Sequence, residues 1–108
     1  DPGFSLAYDA SGLLNLTLGR AQAAVQDYSR AIELRPDYIP GYTARAIGYS
    51  MMGQPELAFS DYDMAVRLEP DNARLYTKRA EFHGVLGRED DAAEDMAMAC
   101  SLDSQYCR

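Results

Sequence analysis

The sequence predicts an all-α chain, a solenoid of three antiparallel helical hairpins, and three observations carry that expectation. The 108 residues repeat on a fixed step of 34. Within each unit, two helix-length segments carry apolar or small residues at spacings of three and four, the stripe that a buried helical face requires. Glycine and proline fall at the same points of each unit, where helices stop. A sequence period of roughly 20 to 50 residues marks units that bury their apolar faces against one another.

The step is visible at many positions. Pro2, Pro36 and Pro70 keep it, as do Tyr8, Tyr42 and Tyr76, then Gly19, Gly53 and Gly87. Ala24, Ala58 and Ala92 follow, then Asp27, Asp61 and Asp95, then Ala31, Ala65 and Ala99, and Leu34, Leu68 and Leu102 close each unit. The units are 5–38, 39–72 and 73–106, in one array over 1–108. Asp1-Pro2-Gly3-Phe4 aligns with Arg35-Pro36-Asp37-Tyr38, so residues 1–4 read as the remnant of an upstream unit. Cys107-Arg108 reads as the opening of a further one.

The first helix of the first unit is expected over Ser5 to Leu18, with Tyr8, Gly12 and Asn15 on one face. Tyr42, Ala46 and Tyr49 take those places in the second unit, and Tyr76, Ala80 and His83 in the third. Gly12, Ala46 and Ala80 are small, so a second helix can approach there. Gly19, Gly53 and Gly87 fit the left-handed position just past a helix end. Pro55 restarts the chain at a first-turn position that needs no N–H. Glu89, Asp90 and Asp91 restart it in the third unit, with negative charge where the helix dipole favours it. The second helices carry Ala24, Tyr28 and Ala31, then Ala58, Tyr62 and Ala65, then Ala92, Met96 and Ala99. Pro36 and Pro70 end the first two of them. The last helix includes Met96, Ala97, Met98 and Cys100, an apolar stretch that calls for a cover: a further segment, a second copy or a partner.

Charge narrows the function. Seventeen acidic and ten basic residues leave a net charge of −7. Nucleic acid is excluded as an expected partner, because phosphate recognition needs a basic footprint, and an anionic membrane surface is disfavoured for the same reason. No apolar run approaches the ~20 residues that span a bilayer, so no membrane insertion is expected. No catalytic constellation is visible, and neither enzyme activity nor a cofactor is expected. The single histidine, His83, stands where the other units place a packing residue. The glycines mark helix ends and form no phosphate loop, no cluster has zinc spacing, and the alternating acids of a calcium loop are missing. Asn15-Leu16-Thr17 is a glycosylation sequon, but inside a helix Asn15 reads as a packing residue.

Cys100 and Cys107 leave two readings open. Seven residues along a continuous helix would separate them by about 10 Å, too far for a bridge. The second helix should end near Leu102, however, and a turn could return Cys107 over the helix end. A disulfide there would lean toward an extracytoplasmic location, periplasmic or secreted. The alternative is two unrelated thiols, Cys100 being a small packed hydrophobe.

A 34-residue unit with an aromatic, a small residue, another aromatic, then Ala-x-x-x-aromatic-x-x-Ala and a late proline resembles the tetratricopeptide repeat. The resemblance covers nearly the whole chain. Tyr stands for the family's Trp in all three units, and Ser11, Arg45 and Arg79 stand for the usual Leu. The third unit departs further, at His83, Met96 and Ser104. What the resemblance implies is a right-handed superhelix whose first helices line a concave groove that binds a peptide segment. Carried over, the groove comprises Leu6, Leu13 and Leu16, with Asp9, Ala10 and Thr17; then Thr43, Ile47 and Met51, with Ala44 and Ser50; then Arg74, Lys78 and Glu81, with Thr77 and Val85. Arg74 and Lys78 lie one turn apart on one face; the alternative is solvated charges, some paired with Glu81. Some family members clamp the C-terminal carboxylate of chaperones. Arg74 and Lys78 match the clamp's third-hairpin pair in charge, but Asp9, Leu13 and Ala44 occupy its other positions, and the clamp is not expected here. The function expected is a non-catalytic protein-interaction module. The alternative is an assembly module that self-associates through its terminal helices or scaffolds a larger complex.

Overall fold

In the computed structural model the described residues, 2–107, form six α-helices and one short 3-10 turn, with no strand among them. The helices are α1 (Pro2–Thr17), α2 (Ala21–Leu34), α3 (Ile39–Met51), α4 (Pro55–Leu68), α5 (Ala73–Val85) and α6 (Glu89–Leu102), and the turn is Ser104–Tyr106. Asp1 and Arg108, read above as pieces of neighbouring units, lie outside the described residues.

From α2 onward, equivalent helices start on the 34-residue step: Ala21, Pro55 and Glu89, and Ile39 and Ala73. The first helix departs from it. Expected over Ser5 to Leu18, it runs from Pro2 to Thr17. Proline suits the first helical position, whose N–H has no intrahelical partner. Pro36 and Pro70 instead follow α2 and α4 and stay in the turns.

The chain divides into two compact units within α4, Asp1–Ala65 and Val66–Arg108. In the first, α1 and α2 run antiparallel: Ser5 Oγ donates to the Ala31 carbonyl near the start of one helix and the end of the other, and Asn15 reaches Asp27 further along. The absence of a side chain at Gly12 permits the close approach, since a β-carbon there would lie 2.7 Å from the Tyr28 ring. Tyr28 is 2% exposed, and Ala24 and Ala31 are fully buried. Helix α3 then lies against α2 and touches α1. It does so through glycines as well: a β-carbon on Gly48 would sit 2.8 Å from Val25 Cγ2, and one on Gly41 3.1 Å from Ile32 Cγ1.

In the second unit α5 packs on α6. Ala73, Tyr76 and Ala99 form its buried centre, with Val66 and Tyr106 packed on them. Ala46 and Ala80, the expected helix-contact positions, are both buried. Ala92 and Met96 are only half-buried, unlike Ala24, Tyr28, Ala58 and Tyr62, because they line an open groove.

The three hairpin corners are built alike. Gly19, Gly53 and Gly87 have φ of 76°, 72° and 76°. At the first corner the Gly19 N–H donates to Leu16 and the Arg20 N–H to Asn15, and the same pair of bonds recurs after α3 and α5. This is the glycine-terminated Schellman closure, which satisfies carbonyls a helix end leaves open. Tyrosine in the tryptophan position adds a tie of its own. The Tyr42 hydroxyl donates to the Pro36 carbonyl at 2.7 Å, and the Tyr76 hydroxyl to the Pro70 carbonyl at 2.8 Å.

Candidate functional site

The first helices put their small residues inward, and that leaves their large apolar side chains facing water. On α1, Leu6 is 56% and Leu13 61% exposed; on α3, Ile47 is 45% and Met51 49% exposed. Leu16 is half-buried, its Cδ2 3.8 Å from where a Gly48 β-carbon would stand, so α1 and α3 present one neighbouring pair of faces. Thr43 is half-buried and donates back to the carbonyls of Ile39 and Pro40. Asp9 sits among these residues and is also half-buried. It accepts a hydrogen bond from the Tyr38 hydroxyl, and the Arg35 guanidinium lies 4.6 Å over the Tyr38 ring. Burial first, and Asp9 second, raise the pKa of Tyr38 above the usual phenol value.

In the second unit Arg74 and Glu81 are exposed and Lys78 is half-exposed, all on α5. Neither Arg74 nor Lys78 forms an ion pair among the described residues, Glu81 included. Their charges are available to a partner. Val85, 79% exposed, ends the helix.

A second surface in this unit is an open groove of about 790 Å³ between α5 and α6. Thr77, Ala80 and Glu81 form one wall, Ala92, Ala93, Met96 and Ala97 the other, and Cys100, Tyr106 and Cys107 its end. Cys100 and Cys107 are joined in a disulfide with their Cα atoms 4.6 Å apart, because the 3-10 turn brings the chain back over the end of α6. Asp103 starts that turn, accepting from the backbone N–H and side chain of Gln105. These two bonds lower the Asp103 pKa.

The sequence reading missed the clamp that closes each hairpin. Asp27, Asp61 and Asp95 recur on the repeat step, and each is held by the residue sixteen positions earlier. Ser11 donates to Asp27 at 2.6 Å, with Asn15 adding a bond of 2.8 Å. Arg45 grips Asp61 through Nε and an Nη atom at 2.9 and 2.7 Å. Arg79 grips Asp95 in the same way at 2.9 and 2.8 Å, and His83 Nε2 lies 3.6 Å from the same carboxylate. Two-pronged guanidinium–carboxylate pairs are the strong form of this contact, and the bond to Asp61 raises the Arg45 pKa. The positions that depart from the family's leucine are thus the partners of the recurring aspartate, which is buried at Asp61 and Asp95 and half-buried at Asp27. The signal was present: a recurring acid and a base or hydroxyl at constant separation. The Asn15 amide is committed to this network, in keeping with a packing role.

No group of His, Cys, Asp or Glu able to hold a metal occurs among the described residues. No described helix is long and apolar enough to cross a membrane.

The model of the tetratricopeptide repeat family matches residues 6–38. No curated protein matches the chain by sequence. Among solved structures, MamA aligns over 97% of this chain with a TM-score of 0.84 and 25% identity; this chain spans 61% of that one. The first TPR of Spaghetti (RPAP3), bound to the HSP90 peptide SRMEEVD, aligns over 96% with a TM-score of 0.83 and 22% identity, and 82% of that chain is covered. The TPR2B domain of yeast Sti1, in its pHsp70 complex, aligns over 94% with a TM-score of 0.84 and 22% identity, again with 82% covered. Residues 6–38 match the tetratricopeptide repeat, the same 34-residue step continues twice beyond them, and the described helices share the fold of TPR domains.

Proposed function

We propose that this chain is a non-catalytic interaction module that holds a peptide segment against its first helices. The observation that carries the reading is the exposure of Leu6, Leu13, Ile47 and Met51 on helices whose opposite sides are packed through glycine and alanine. Exposed apolar side chains gathered on neighbouring helices mark an interaction surface. The solved structures of RPAP3 and Sti1 with peptide or chaperone components support the same use of the fold.

The partner chemistry follows from the two faces. Apolar side chains suit α1 and α3, and an acidic side chain or free carboxylate suits Arg74 and Lys78 on α5. Apolar contact supplies most of the affinity, while the charges fix orientation and speed encounter. A chaperone-tail clamp is not proposed, since Asp9 would repel a carboxylate on the first unit and Leu13 and Ala44 cannot donate side-chain hydrogen bonds.

The experiment is a binding titration of the natural partner against two variants. Arg74→Glu with Lys78→Glu should weaken binding by about tenfold or more, with a loss that shrinks as salt rises. Ile47→Asp should weaken it with little salt dependence. Both should fold as the parent does, because these side chains face water. Undiminished binding by the charge-reversed protein would remove α5 from the site and direct attention to the opposite helix faces.

A further inference from the structure

We propose that the groove between α5 and α6 receives α1 of a second copy of this chain, joining copies head to tail. This goes beyond the peptide-binding reading and uses different side chains.

The first unit shows what such a groove accommodates. The equivalent surface of the α1–α2 hairpin is occupied by α3. Gly48 of α3 meets Val25, and Gly41 meets Ile32 and Tyr38, at separations that leave no room for a β-carbon without movement. Two steps of 34 residues later, Val25 is replaced by Ala93 and Ile32 by Cys100, while Tyr38 remains aromatic as Tyr106. The groove walls have lost bulk at the two places where the occupant in the first unit is glycine, and the groove stands open.

Helix α1 carries the compensating change. It is the same kind of helix as α3, one step earlier. Where α3 has Gly41 and Gly48, α1 has Ala7 and Leu14. Both are exposed, Leu14 to 59%. The bulk that left the groove wall at Val25 and Ile32 therefore reappears on the helix that would fill it: Leu14 facing Ala93, and the Ala7 methyl facing Cys100. Complementary swaps of this kind conserve the packed volume, which close-packed interfaces demand. Asp9 is the one charged residue among the sixteen of α1, so seating this helix buries little charge. A contact between two different patches is heterologous, and its repetition gives rings or open chains, not a closed two-fold dimer.

The test is sedimentation of the intact chain across a range of concentration, with Leu14→Glu and Ala93→Glu made separately. The parent should associate, and each variant should associate at least about tenfold more weakly, since each would bury an unpaired carboxylate. Helix content and thermal midpoint should match the parent, because both positions are exposed. Equal mixing of the two variants is the decisive arm. Leu14→Glu keeps an intact groove and Ala93→Glu keeps an intact α1, so the mixture should regain one-to-one heterodimers that grow no further. A parent that stays monomeric at every concentration overturns the proposal. So do variants that associate like the parent, or a mixture that forms no heterodimer.

Discussion

In the first hairpin Asp27 is held by neutral groups, the Ser11 hydroxyl and the Asn15 amide; in the third, Asp95 is held by the Arg79 guanidinium, with His83 beside it. The packing differs in parallel. Gly12 lies under the ring of Tyr28, whereas Ala80 and Met96 stand on facing walls of an open groove. The same backbone is therefore closed by two chemistries. The aspartate is the fixed element, and its partner varies with what each hairpin can bury. Neutral partners lose little when the acid is removed, because hydroxyl and amide can turn to water. A guanidinium held in a partly buried fork cannot, and this asymmetry gives the comparison its measurable content.

The largest expected effect comes from Asp95→Ala, which removes the carboxylate that both prongs of the Arg79 guanidinium grip. The loss should be about 3 kcal/mol, at the low end for breaking a buried pair, since the Arg79 side chain keeps 21% of its surface exposed. Asp27→Ala should cost only about 1 kcal/mol. Urea unfolding of both variants measures the difference, and equal losses would dissolve the distinction between the hairpins.

Next comes Gly12→Ala. Its β-carbon would fall 2.7 Å from the Tyr28 ring. Overpacking of this kind costs about 1–3 kcal/mol, offset by about 1 kcal/mol of better helix propensity. A net loss near 1 kcal/mol is expected from thermal unfolding. Installing the third hairpin's pairing, Gly12→Ala with Tyr28→Met, should remove the steric part, because methionine bends where a ring cannot. If Gly12→Ala alone stabilises the chain, the close approach at this corner is not what fixes the glycine.

The smallest effect is one of pH. Burial, then Asp9, then Tyr38 and Asp27 push the Tyr28 pKa up to about 12 from the ordinary phenol value of 10.0. The folded state therefore holds this proton more tightly than the unfolded state. Its stabilising contribution is complete below pH 10.0 and is lost progressively as pH rises toward about 12. Tyr28→Phe should flatten that part of the alkaline stability curve; the third hairpin has Met96 in this place, with no hydroxyl to titrate there. An unchanged slope in the variant would contradict the assignment to Tyr28.

Much of this architecture was legible in the sequence because its geometry is local and repeated. Gly19, Gly53 and Gly87 announce helix ends by a backbone need that few other residues meet, and Pro55 and the Glu89 acids announce starts. What escaped notice depends on pairs across helices. Arg45 and Arg79 read as departures from a leucine until their separation from Asp61 and Asp95 is set beside that of Ser11 from Asp27. Gly41 and Gly48 sit off the repeat step, inside a helix, and a glycine there signals a neighbour too near for any side chain. The early start of α1 had no such mark, since Pro2 suits a turn and a first helical position equally. Of the candidate site, the exposed residues of α1, α3 and α5 were named by analogy with the family. Their exposure follows from the inward small residues, but what they bind is written in a partner's sequence and not in this one.

The tyrosine hydroxyls on the proline carbonyls bear on how the chain comes apart. Tyr42 reaches back to Pro36, and Tyr76 to Pro70, across the start of the helix that carries the tyrosine. Each linker is thus fastened to the hairpin that follows it. When one repeat opens transiently, the linker ahead of it is released with it, while the preceding hairpin keeps its own last turn. The quantum of local melting is therefore offset from the helical hairpin by the length of one turn, and its boundary falls between the closing leucine of one repeat and the proline that introduces the next.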